Sequence, residues 1–282
     1  MTVKYFHNKF IAELLGIYSG EEAGAMASIL LQDVLGLSRA DVVMKGDENI
    51  DAGKLRFLND VLTRLKNEEP LQYILGRTEF YGLDILLNPD VLIPRSETEE
   101  LIAWVLNTVN TETPKILDFG TGSGCIPLAL KKNLPKSKIT GVDKSQKALK
   151  LAKKNGRSLN LDVEFLAFDI LRDAPSKMGT VDVVVSNPPY VRFSEREKMN
   201  SNVLKYEPHM ALFVKDEDPL IFYRKIADIG KQILKESGLL FFEINEEFGN
   251  EILSLLRDKG YENTELRKDL NGKDRMVKAL KP

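Results

Sequence analysis

Apolar residues recur at helical spacing through the first 75 residues of the chain, and none of this region alternates as a strand would. Two segments, 21–35 and 55–65, carry the clearest stripes. The residues predicted to share a face are Ala25, Ile29, Leu30 and Val34 in the first segment and Leu55, Leu58, Val61, Leu62 and Leu65 in the second. A further short helix is expected from Pro70 to Leu75. We therefore predict a small N-terminal helical bundle domain over residues 1–77.

The pattern changes at residue 78, where strand-like residues replace the helical stripe. Residues 78–93 predict a two-stranded β-hairpin that turns at Asn88-Pro89-Asp90 and joins the bundle to the next domain. A helix is expected to follow, with Ser96 as its N-cap and its end near Val109. The remaining residues, 94–282, are predicted to form the second domain.

Strand-like and helix-like segments alternate from residue 115 onward. Strands are predicted at 115–119, 138–142, 163–168, 181–186, 238–244, 261–267 and 274–280. Helices are predicted at 124–132, 145–155, 218–235 and 246–258. The alternation favours an α/β fold with a mostly parallel, doubly wound sheet. The last two strands are joined through Asn271-Gly272, a tight-turn signal, and are expected to form an antiparallel edge.

A glycine-rich turn follows the first strand of this domain. The turn is Gly120-Thr121-Gly122-Ser123-Gly124, and Asp118 precedes it by two residues. Glycines at alternate positions accept positive φ and let the backbone approach a ligand closely. The next helix offers free N–H groups at its start. A glycine turn alone is weak evidence, because dinucleotide-binding folds also have one, although their spacing is Gly-x-Gly-x-x-Gly.

Two carboxylates end the next two predicted strands. Asp143 ends the second strand and suits a vicinal ribose diol, since a carboxylate can accept two hydrogen bonds. Asp169, followed by Ile170, ends the third strand and can accept a hydrogen bond from an adenine amino group. In open α/β sheets, ligands bind beyond the carboxyl ends of the strands. The simpler interpretation is that both acids only cap the helices that follow.

The strand at 181–186 ends at Asn187-Pro188-Pro189-Tyr190. Each proline fixes φ and lacks an N–H, so the strand ladder must stop and the turn is stiff. The Asn187 side chain and the Pro188 carbonyl remain as hydrogen-bond acceptors, and Tyr190 adds a flat ring. Two acceptors beside a stacking face predict a receptor for a planar –NH2 group. The alternative is a stiff turn without chemistry.

Composition and charge exclude several classes of protein. No apolar run approaches the ~20 residues that a membrane span needs. The N-terminus has no secretory pattern, and the single cysteine, Cys125, fits a reducing cytosol, so a cytoplasmic location is expected. With two histidines and one cysteine, no metal site is expected. Residues 1–90 carry 9 Lys and Arg against 14 Asp and Glu, which disfavours direct binding of nucleic acid.

The glycine turn, the two acids and the Asn187 turn resemble those of the Rossmann-like, class I S-adenosylmethionine-dependent methyltransferases over residues 94–282. The resemblance implies that S-adenosyl-L-methionine is the cofactor and S-adenosyl-L-homocysteine the product. It assigns the methionine part to the loop 120–124, the ribose to Asp143 and the adenine to Asp169. Binding of NAD is the competing interpretation, but such an enzyme would have no use for the Asn187 turn.

Further segments resemble the HemK/PrmC family over residues 69–282. They are Glu69–Gly76, Glu79–Gly82, Ile93–Glu99, Asp118–Cys125, Ser186–Val191, Glu207–Leu212 and Lys268–Arg275. Ser96 departs from the family pattern, which usually has proline there, and Pro127 lies in a first helical turn, where proline is tolerated. The resemblance implies that Arg95, Glu97 and Thr98 line the pocket or the cofactor cleft, although Arg95 could equally pair with a surface acid.

The family resemblance also implies the acceptor. It is the glutamine of the Gly-Gly-Gln motif in class-1 peptide chain release factors, which would be methylated at its side-chain amide nitrogen and gripped by the helical domain. The enzyme is expected to be a monomer that binds neither nucleic acid nor membrane directly. Two alternatives stay open: a glutamine-N5 methyltransferase of a ribosomal protein, and an adenine-N6 methyltransferase of nucleic acid, which needs a basic face and space to flip a base.

Overall fold

The structure is a computed structural model that describes residues 1–282, apart from the side chain of Lys177. The chain divides into two compact units. The first consists of Met1–Leu75 and Ser201–Tyr206, and the second of Gly76–Asn200 and Glu207–Pro282.

Helices form the whole of the first unit, as predicted. They are α1 Val3–Leu14, α2 Gly20–Leu35, α3 Arg39–Met44, α4 Ala52–Lys66, α5 Leu71–Leu75 and, from later in the chain, α9 Ser201–Tyr206. Ser19 caps the start of α2 by accepting the N–H of Glu22 at 3.1 Å, and Gly36 ends the helix in the left-handed region at φ +72°. These local signals fix the helix boundaries.

The buried face of α2 differs from the predicted one. Ala23, Ala27, Leu30 and Leu31 are buried, whereas Ile29 is 51% exposed. The predicted and the buried sets share only Leu30, so the buried face is shifted around the helix toward the small residues Ala23 and Ala27. In α4 the prediction is confirmed for four of its five residues, Leu58, Val61, Leu62 and Leu65.

The second unit begins with the predicted hairpin, but its turn lies elsewhere. Strands β1 Arg77–Phe80 and β2 Leu83–Leu86 pair antiparallel and turn at Tyr81 and Gly82, both of which have positive φ. The expected turn at Asn88-Pro89-Asp90 is therefore wrong for the hairpin. A separate turn does form there, since the N–H of Val91 donates to the Asn88 carbonyl at 3.2 Å.

A seven-stranded sheet is the centre of the second unit. Its strands are β3 Lys115–Phe119, β4 Lys138–Asp143, β5 Glu164–Ala167, β6 Val181–Ser186, β9 Leu234–Glu243, β10 Glu262–Lys268 and β11 Asp274–Leu280. Their order is β10-β11-β9-β6-β3-β4-β5. The five strands from β9 to β5 run parallel, and β10 and β11 form the predicted antiparallel edge. The predicted α/β fold class is confirmed.

The remaining helices of this unit accompany the sheet. They are α6 Ser96–Thr108, α7 Cys125–Asn133, α8 Gln146–Ser158, α10 His209–Leu212, α11 Ile221–Ile233 and α12 Gly249–Asp258. The prediction that Ser96 is the N-cap of α6 is wrong, because Ser96 is the first residue of the helix. Arg95 occupies the cap position, and its side chain makes no capping hydrogen bond. A two-stranded parallel pair, β7 Val191–Arg192 and β8 Phe213–Val214, was not predicted because its strands are too short to show alternation.

The order of the strands determines where a ligand can bind. The strand order switches between β3 and β6: β4 and β5 lie on one side of β3, and β6 and β9 on the other. The loops that follow β3 and β6 therefore diverge and leave a crevice at the carboxyl ends of these strands. The glycine turn follows β3, and Asn187 follows β6. Buried apolar side chains of these strands, among them Leu117, Phe119 and Val184, belong to one core cluster of the unit.

Candidate active site

A cleft of about 740 Å³, including its open mouth, lies at the carboxyl ends of β3, β4 and β6. Seven residues that the sequence predicts for the site line it: Gly120, Gly122, Asp143, Asp169, Ile170, Asn187 and Pro189. Apolar side chains that the sequence analysis did not single out complete the lining, among them Leu92, Phe168 and Met210. The cleft can therefore hold a ligand that has both polar groups and a flat apolar ring.

Backbone geometry explains why glycine occupies the turn after β3. Gly120, Gly122 and Gly124 have φ values of +75°, +53° and +82°, which L side chains rarely adopt. A Cβ at Gly124 would also lie 3.0 Å from the Phe165 ring and 3.1 Å from the Ala152 methyl group. The N–H groups of Gly120 and Thr121 both donate to the Val142 carbonyl, so the turn is fixed to β4.

Asp143 ends β4, and its carboxylate is held by the backbone. One oxygen accepts the N–H of Gly122 at 2.9 Å, and the other accepts the N–H of Ser145 at 2.8 Å. Each carboxylate oxygen has further acceptor capacity. The side chain is therefore oriented in advance at the lining of the cleft, where it can accept hydroxyl groups of a ligand.

Asp169 has a more local set of contacts. One of its oxygens accepts the N–H of Leu171 at 2.9 Å, and Arg172 lies 3.9 Å from the other. The bond to Leu171 closes a local turn, and since no helix begins directly after Asp169, the capping interpretation is wrong for this carboxylate. Asp169 and Ile170 nevertheless line the cleft beside Phe168.

Asp118 is buried beneath the glycine turn. Neither of its carboxylate oxygens has a hydrogen-bond partner among the described residues, and the same holds for the hydroxyl groups of Thr121 and Ser123. Burial raises the pKa of Asp118 to about 7; the nearby Thr121 hydroxyl opposes the rise without reaching hydrogen-bond geometry, and the charge of Asp143 adds to it. A buried carboxylate without a partner is complementary to a cationic group of a ligand.

Asn187 lies directly after β6 in the turn that the two prolines stiffen. Its side-chain NH2 donates to the Thr98 hydroxyl at 3.2 Å. Among the described residues, none donates to the Asn187 side-chain oxygen or to the Pro188 carbonyl. Ser186, the last residue of β6, donates its hydroxyl to the Phe119 carbonyl at 2.7 Å and so ties the base of the turn to β3.

Tyr190 points back toward the sheet. Its hydroxyl donates to the Glu243 carboxylate at 3.1 Å, and its carbonyl accepts the Asn245 side chain at 3.3 Å. Its ring packs against the apolar core of the second unit. These contacts hold the end of the Asn187–Tyr190 turn.

Glu243 is the residue of this site that sequence reasoning missed. It ends β9, is 1% exposed, and accepts the Thr98 hydroxyl at 2.6 Å as well as that of Tyr190. Burial raises its pKa, while the hydrogen bonds from Thr98 and Tyr190 and the charge of Arg275 oppose the rise. An acid at the carboxyl end of a parallel strand is the signal that identified Asp143, and it could have identified Glu243 too.

The three residues predicted before α6 and in its first turn have different surroundings. Arg95 donates to Glu207 at 2.6 Å, and the Glu207 side chain is 1% exposed, so this acid is buried and not on the surface. Thr98 contacts Asn187 and Glu243. The Glu97 carboxylate accepts the Ser96 hydroxyl at 3.0 Å. None of the three is among the described residues that line the cleft.

Two further observations concern the residues that the structure describes. They contain no group of three or more histidine, cysteine, aspartate or glutamate side chains arranged to hold a metal ion. Within the same part of the chain, every helix is too short or too polar to cross a membrane.

Comparison with protein families gives two matches along the chain. The model of the PrmC N-terminal domain matches residues 9–76, and the model of the methyltransferase small domain matches residues 98–207. The first match covers most of the helical unit. The second covers the glycine turn, Asp143, Asp169 and the Asn187 turn.

Curated relatives match almost the whole chain. A protein of Flavobacterium psychrophilum named release factor glutamine methyltransferase is 42% identical and covers 99% of this chain and 99% of its own length. Proteins of the same name from Bacteroides thetaiotaomicron and Streptococcus pneumoniae are 41% and 38% identical, covering 94% and 98% of this chain and 95% and 98% of their own lengths.

Solved structures are similar in fold. A methyltransferase from Pyrococcus furiosus has a TM-score of 0.54 at 18% identity and covers 82% of this chain and 99% of its own. The T. thermophilus 16S rRNA N2 G1207 methyltransferase has a TM-score of 0.51 at 15% identity, with 73% and 50% coverage. At these identities the similarity concerns the fold alone.

Proposed function

The chain belongs to the family of release factor glutamine methyltransferases, and we propose that it methylates the glutamine of the Gly-Gly-Gln motif in class-1 peptide chain release factors. It is a protein-glutamine methyltransferase, and the methyl group goes to the side-chain amide nitrogen, N5. The observation that carries the proposal is the position of Asn187, which lines the same cleft as Gly120, Gly122 and Asp143. A planar amide and a methyl donor can therefore meet there.

S-adenosyl-L-methionine fits the residues of this cleft as the donor. The buried Asp118 carboxylate lacks a partner and suits the cationic end of the methionine part, which the glycine turn 120–124 leaves room to approach. Asp143 would accept the ribose hydroxyls, and Asp169 and Ile170 would meet the adenine beside the Phe168 ring. When bound, the cofactor supplies an electrophilic methyl group on sulfur, and S-adenosyl-L-homocysteine remains after transfer.

The Asn187 turn is proposed to bind the acceptor amide. An amide nitrogen is a poor nucleophile because its lone pair is delocalised, as the rotation barrier of ~18–20 kcal/mol demonstrates. The Asn187 side-chain oxygen and the Pro188 carbonyl would accept its two N–H bonds and stabilise the positive charge that develops as the methyl group arrives. Pro189 keeps the turn rigid and Tyr190 anchors it through Glu243. Such positioning can contribute on the order of 7–11 kcal/mol.

No strong base is needed in this mechanism. The acceptor nitrogen gains acidity only after it has received the methyl group, so the proton can leave late and reach water. The hydroxyl of Tyr190 is not a candidate base, because burial raises its pKa far above neutrality and it already donates to Glu243. The chain's own contribution is orientation and electrostatic stabilisation.

The first unit is proposed to recognise the body of the release factor. It corresponds to the region that the PrmC N-terminal domain model matches, residues 9–76. We assign residues 1–77 to this domain, 78–93 to a linker that contains the hairpin, and 94–282 to the methyltransferase domain. We further propose that the enzyme acts as a monomer in the cytoplasm, without direct contact with nucleic acid or membrane.

Methyl transfer from labelled cofactor tests the acceptor. We expect label in a class-1 release factor and none when its Gly-Gly-Gln glutamine is replaced by alanine. Ribosomes and DNA serve as parallel substrates. Label in ribosomal protein alone would favour the related glutamine methyltransferase activity, and label in DNA alone would overturn the choice of an amide acceptor.

A further inference from the structure

Four side chains form one continuous chain of hydrogen bonds at the base of the acceptor site. The Asn187 NH2 donates to the Thr98 hydroxyl at 3.2 Å, and Thr98 donates to one oxygen of Glu243 at 2.6 Å. Tyr190 donates to the other oxygen of Glu243 at 3.1 Å. Thr98 and Glu243 are 3% and 1% exposed, so water does not compete for these bonds.

The chemistry of these groups determines which group donates and which accepts in each of these hydrogen bonds. The two Glu243 oxygens accept the hydroxyl protons of Thr98 and Tyr190, so Thr98 uses its single proton toward Glu243. The Thr98 hydroxyl then has only lone pairs left for Asn187. The Asn187 amide must therefore turn its NH2 toward Thr98, and its oxygen is left facing away from this pair.

The orientation of the Asn187 amide matters because its oxygen and its NH2 group have nearly the same shape. A 180° rotation exchanges the acceptor oxygen for the NH2 donor at little steric cost. In the rotated state the NH2 group would face an N–H of the incoming glutamine amide, donor against donor. The proposed mechanism needs the oxygen there.

We infer that Thr98 and Glu243 are positioning residues that fix the orientation of the Asn187 amide, so that its oxygen faces the acceptor glutamine. The inference rests on the proposed function of Asn187. Neither residue is among those that line the cleft, so both act through Asn187 and not on the reacting atoms. Tyr190 occupies the second oxygen of Glu243, which leaves Thr98 as the partner of the first.

Burial raises the pKa of Glu243, and its surroundings act on that pKa in both directions. The charged and titratable groups near it are Glu97 from α6, Cys125 from α7, Tyr190, Tyr223 from α11 and Arg275 from β11. The Arg275 guanidinium and the hydroxyl donors favour the carboxylate, whereas Glu97 and burial oppose it. Protonation of Glu243 would let it donate to Thr98, so the hydrogen bonds would no longer fix the orientation of the Asn187 amide.

Replacement of Thr98 by valine tests the inference, because valine has nearly the same shape but neither accepts nor donates. We expect Thr98→Val to lower kcat for release factor methylation by about 10- to 100-fold, the effect of one mispaired hydrogen bond in a buried site. The Kd for S-adenosyl-L-homocysteine should change little, whereas the melting temperature should fall moderately, because the buried Glu243 carboxyl group loses one of its two donors. Thr98→Ser, which keeps the hydroxyl, should restore most of kcat.

A second threonine of the same helix provides the matched control. Thr108 lies at the end of α6, and its hydroxyl donates to the Trp104 carbonyl at 2.8 Å, far from Asn187 in sequence. Thr108→Val should leave kcat within about twofold of the wild type, since its hydrogen bond serves only the local helix. Should Thr98→Val fail to fold, Thr98→Ala removes the same hydroxyl without placing a new methyl group against Glu243.

Each result decides the inference. A kcat within twofold of wild type in Thr98→Val, or a Thr98→Ser variant as impaired as Thr98→Val, would overturn it. A loss of kcat that is matched by an equal loss of folded protein would indicate a structural role only, and would also overturn it. Failure of the wild-type enzyme to methylate release factor would instead refute the proposed function, which the same assay measures separately.

Discussion

The carboxylate of Asp143 accepts the backbone N–H of Gly122 at 2.9 Å, which joins the end of β4 to the glycine turn after β3. This bond makes one side chain serve two purposes. It stabilises the turn, whose three glycines have positive φ, and it fixes the carboxylate at the lining of the cleft. This side of the cleft is therefore organised in advance by a contact between residues that follow or end two neighbouring strands and lie 21 positions apart in the sequence.

Replacement of Asp143 by alanine should weaken cofactor binding. The variant loses the acceptor for the ribose hydroxyls and releases the Gly122 N–H, so we expect the Kd for S-adenosyl-L-homocysteine to rise by about 10- to 100-fold. Isothermal titration calorimetry measures this directly. Asp162→Ala, which removes an exposed acid of the same unit, is the control and should bind as the wild type does. Equal Kd values for Asp143→Ala and wild type would exclude Asp143 from the cofactor site.

Replacement of Asn187 by alanine should separate binding from transfer. The side-chain oxygen that would accept the amide N–H is lost, while Asp143 and the glycine turn keep their contacts. We expect kcat to fall by at least about 10²-fold, comparable to the loss of one oxyanion-hole donor, and the cofactor Kd to stay within about threefold. Single-turnover transfer with labelled cofactor measures the first quantity. Full activity in Asn187→Ala would contradict the mechanism.

The topology and several residues that line the cleft were predictable because they depend on local signals. Alternating strand and helix patterns gave the parallel sheet with its antiparallel edge, and acids or glycines at strand ends marked the cleft. These features are encoded within single segments of about ten residues. The carboxyl ends of parallel strands then converge for geometric reasons.

Two features were not predicted correctly: the position of the hairpin turn, and a side-chain contact between residues that are far apart in the sequence. Near the hairpin, Asn88-Pro89-Asp90 was chosen as the turn, but the hairpin turns at Tyr81-Gly82, where both residues adopt positive φ, and Asn88 begins a separate turn. The contact between Thr98 and Glu243 joins residues 145 positions apart. No spacing in one sequence reveals such a partner, since it depends on how α6 packs on the sheet.

The stability of the protein without ligand should depend on the ionisation of Asp118. Its pKa is about 7 in the folded protein against an ordinary value of 3.8, so the folded state binds a proton more tightly than the unfolded state. The free energy of unfolding should therefore fall as the pH rises from the unfolded pKa of 3.8 to the folded pKa of about 7, and level off above it. Asp118→Asn removes the buried charge and should stabilise the protein at pH 8 by on the order of 2 kcal/mol, and by less at pH 5, where only part of this loss has accumulated.

Thermal unfolding at the two pH values measures this difference. Cofactor affinity should change in the opposite direction to stability, because the same variant loses the proposed partner of the cationic end of the methionine part. Asp118→Asn should thus melt higher but bind more weakly at pH 8. A variant that is destabilised at pH 8, or one that binds the cofactor as tightly as the wild type, would contradict the assignment of Asp118.

Replacement of Gly141 by alanine should disturb the proposed cofactor site, because Gly141 lies against a residue of the glycine turn. A Cβ on this residue of β4 would lie 2.6 Å from the Thr121 hydroxyl and 3.0 Å from the Phe165 ring, so the side chain of Thr121, a residue of the glycine turn, must move. Overpacking of this kind costs about 1–3 kcal/mol, and we expect a weaker cofactor Kd together with a lower melting temperature. The control is Gly24→Ala within α2, where a Cβ meets nothing within 4 Å and alanine favours the helix. That variant should bind the cofactor normally, and a normal Kd in Gly141→Ala as well would mean that the turn tolerates displacement.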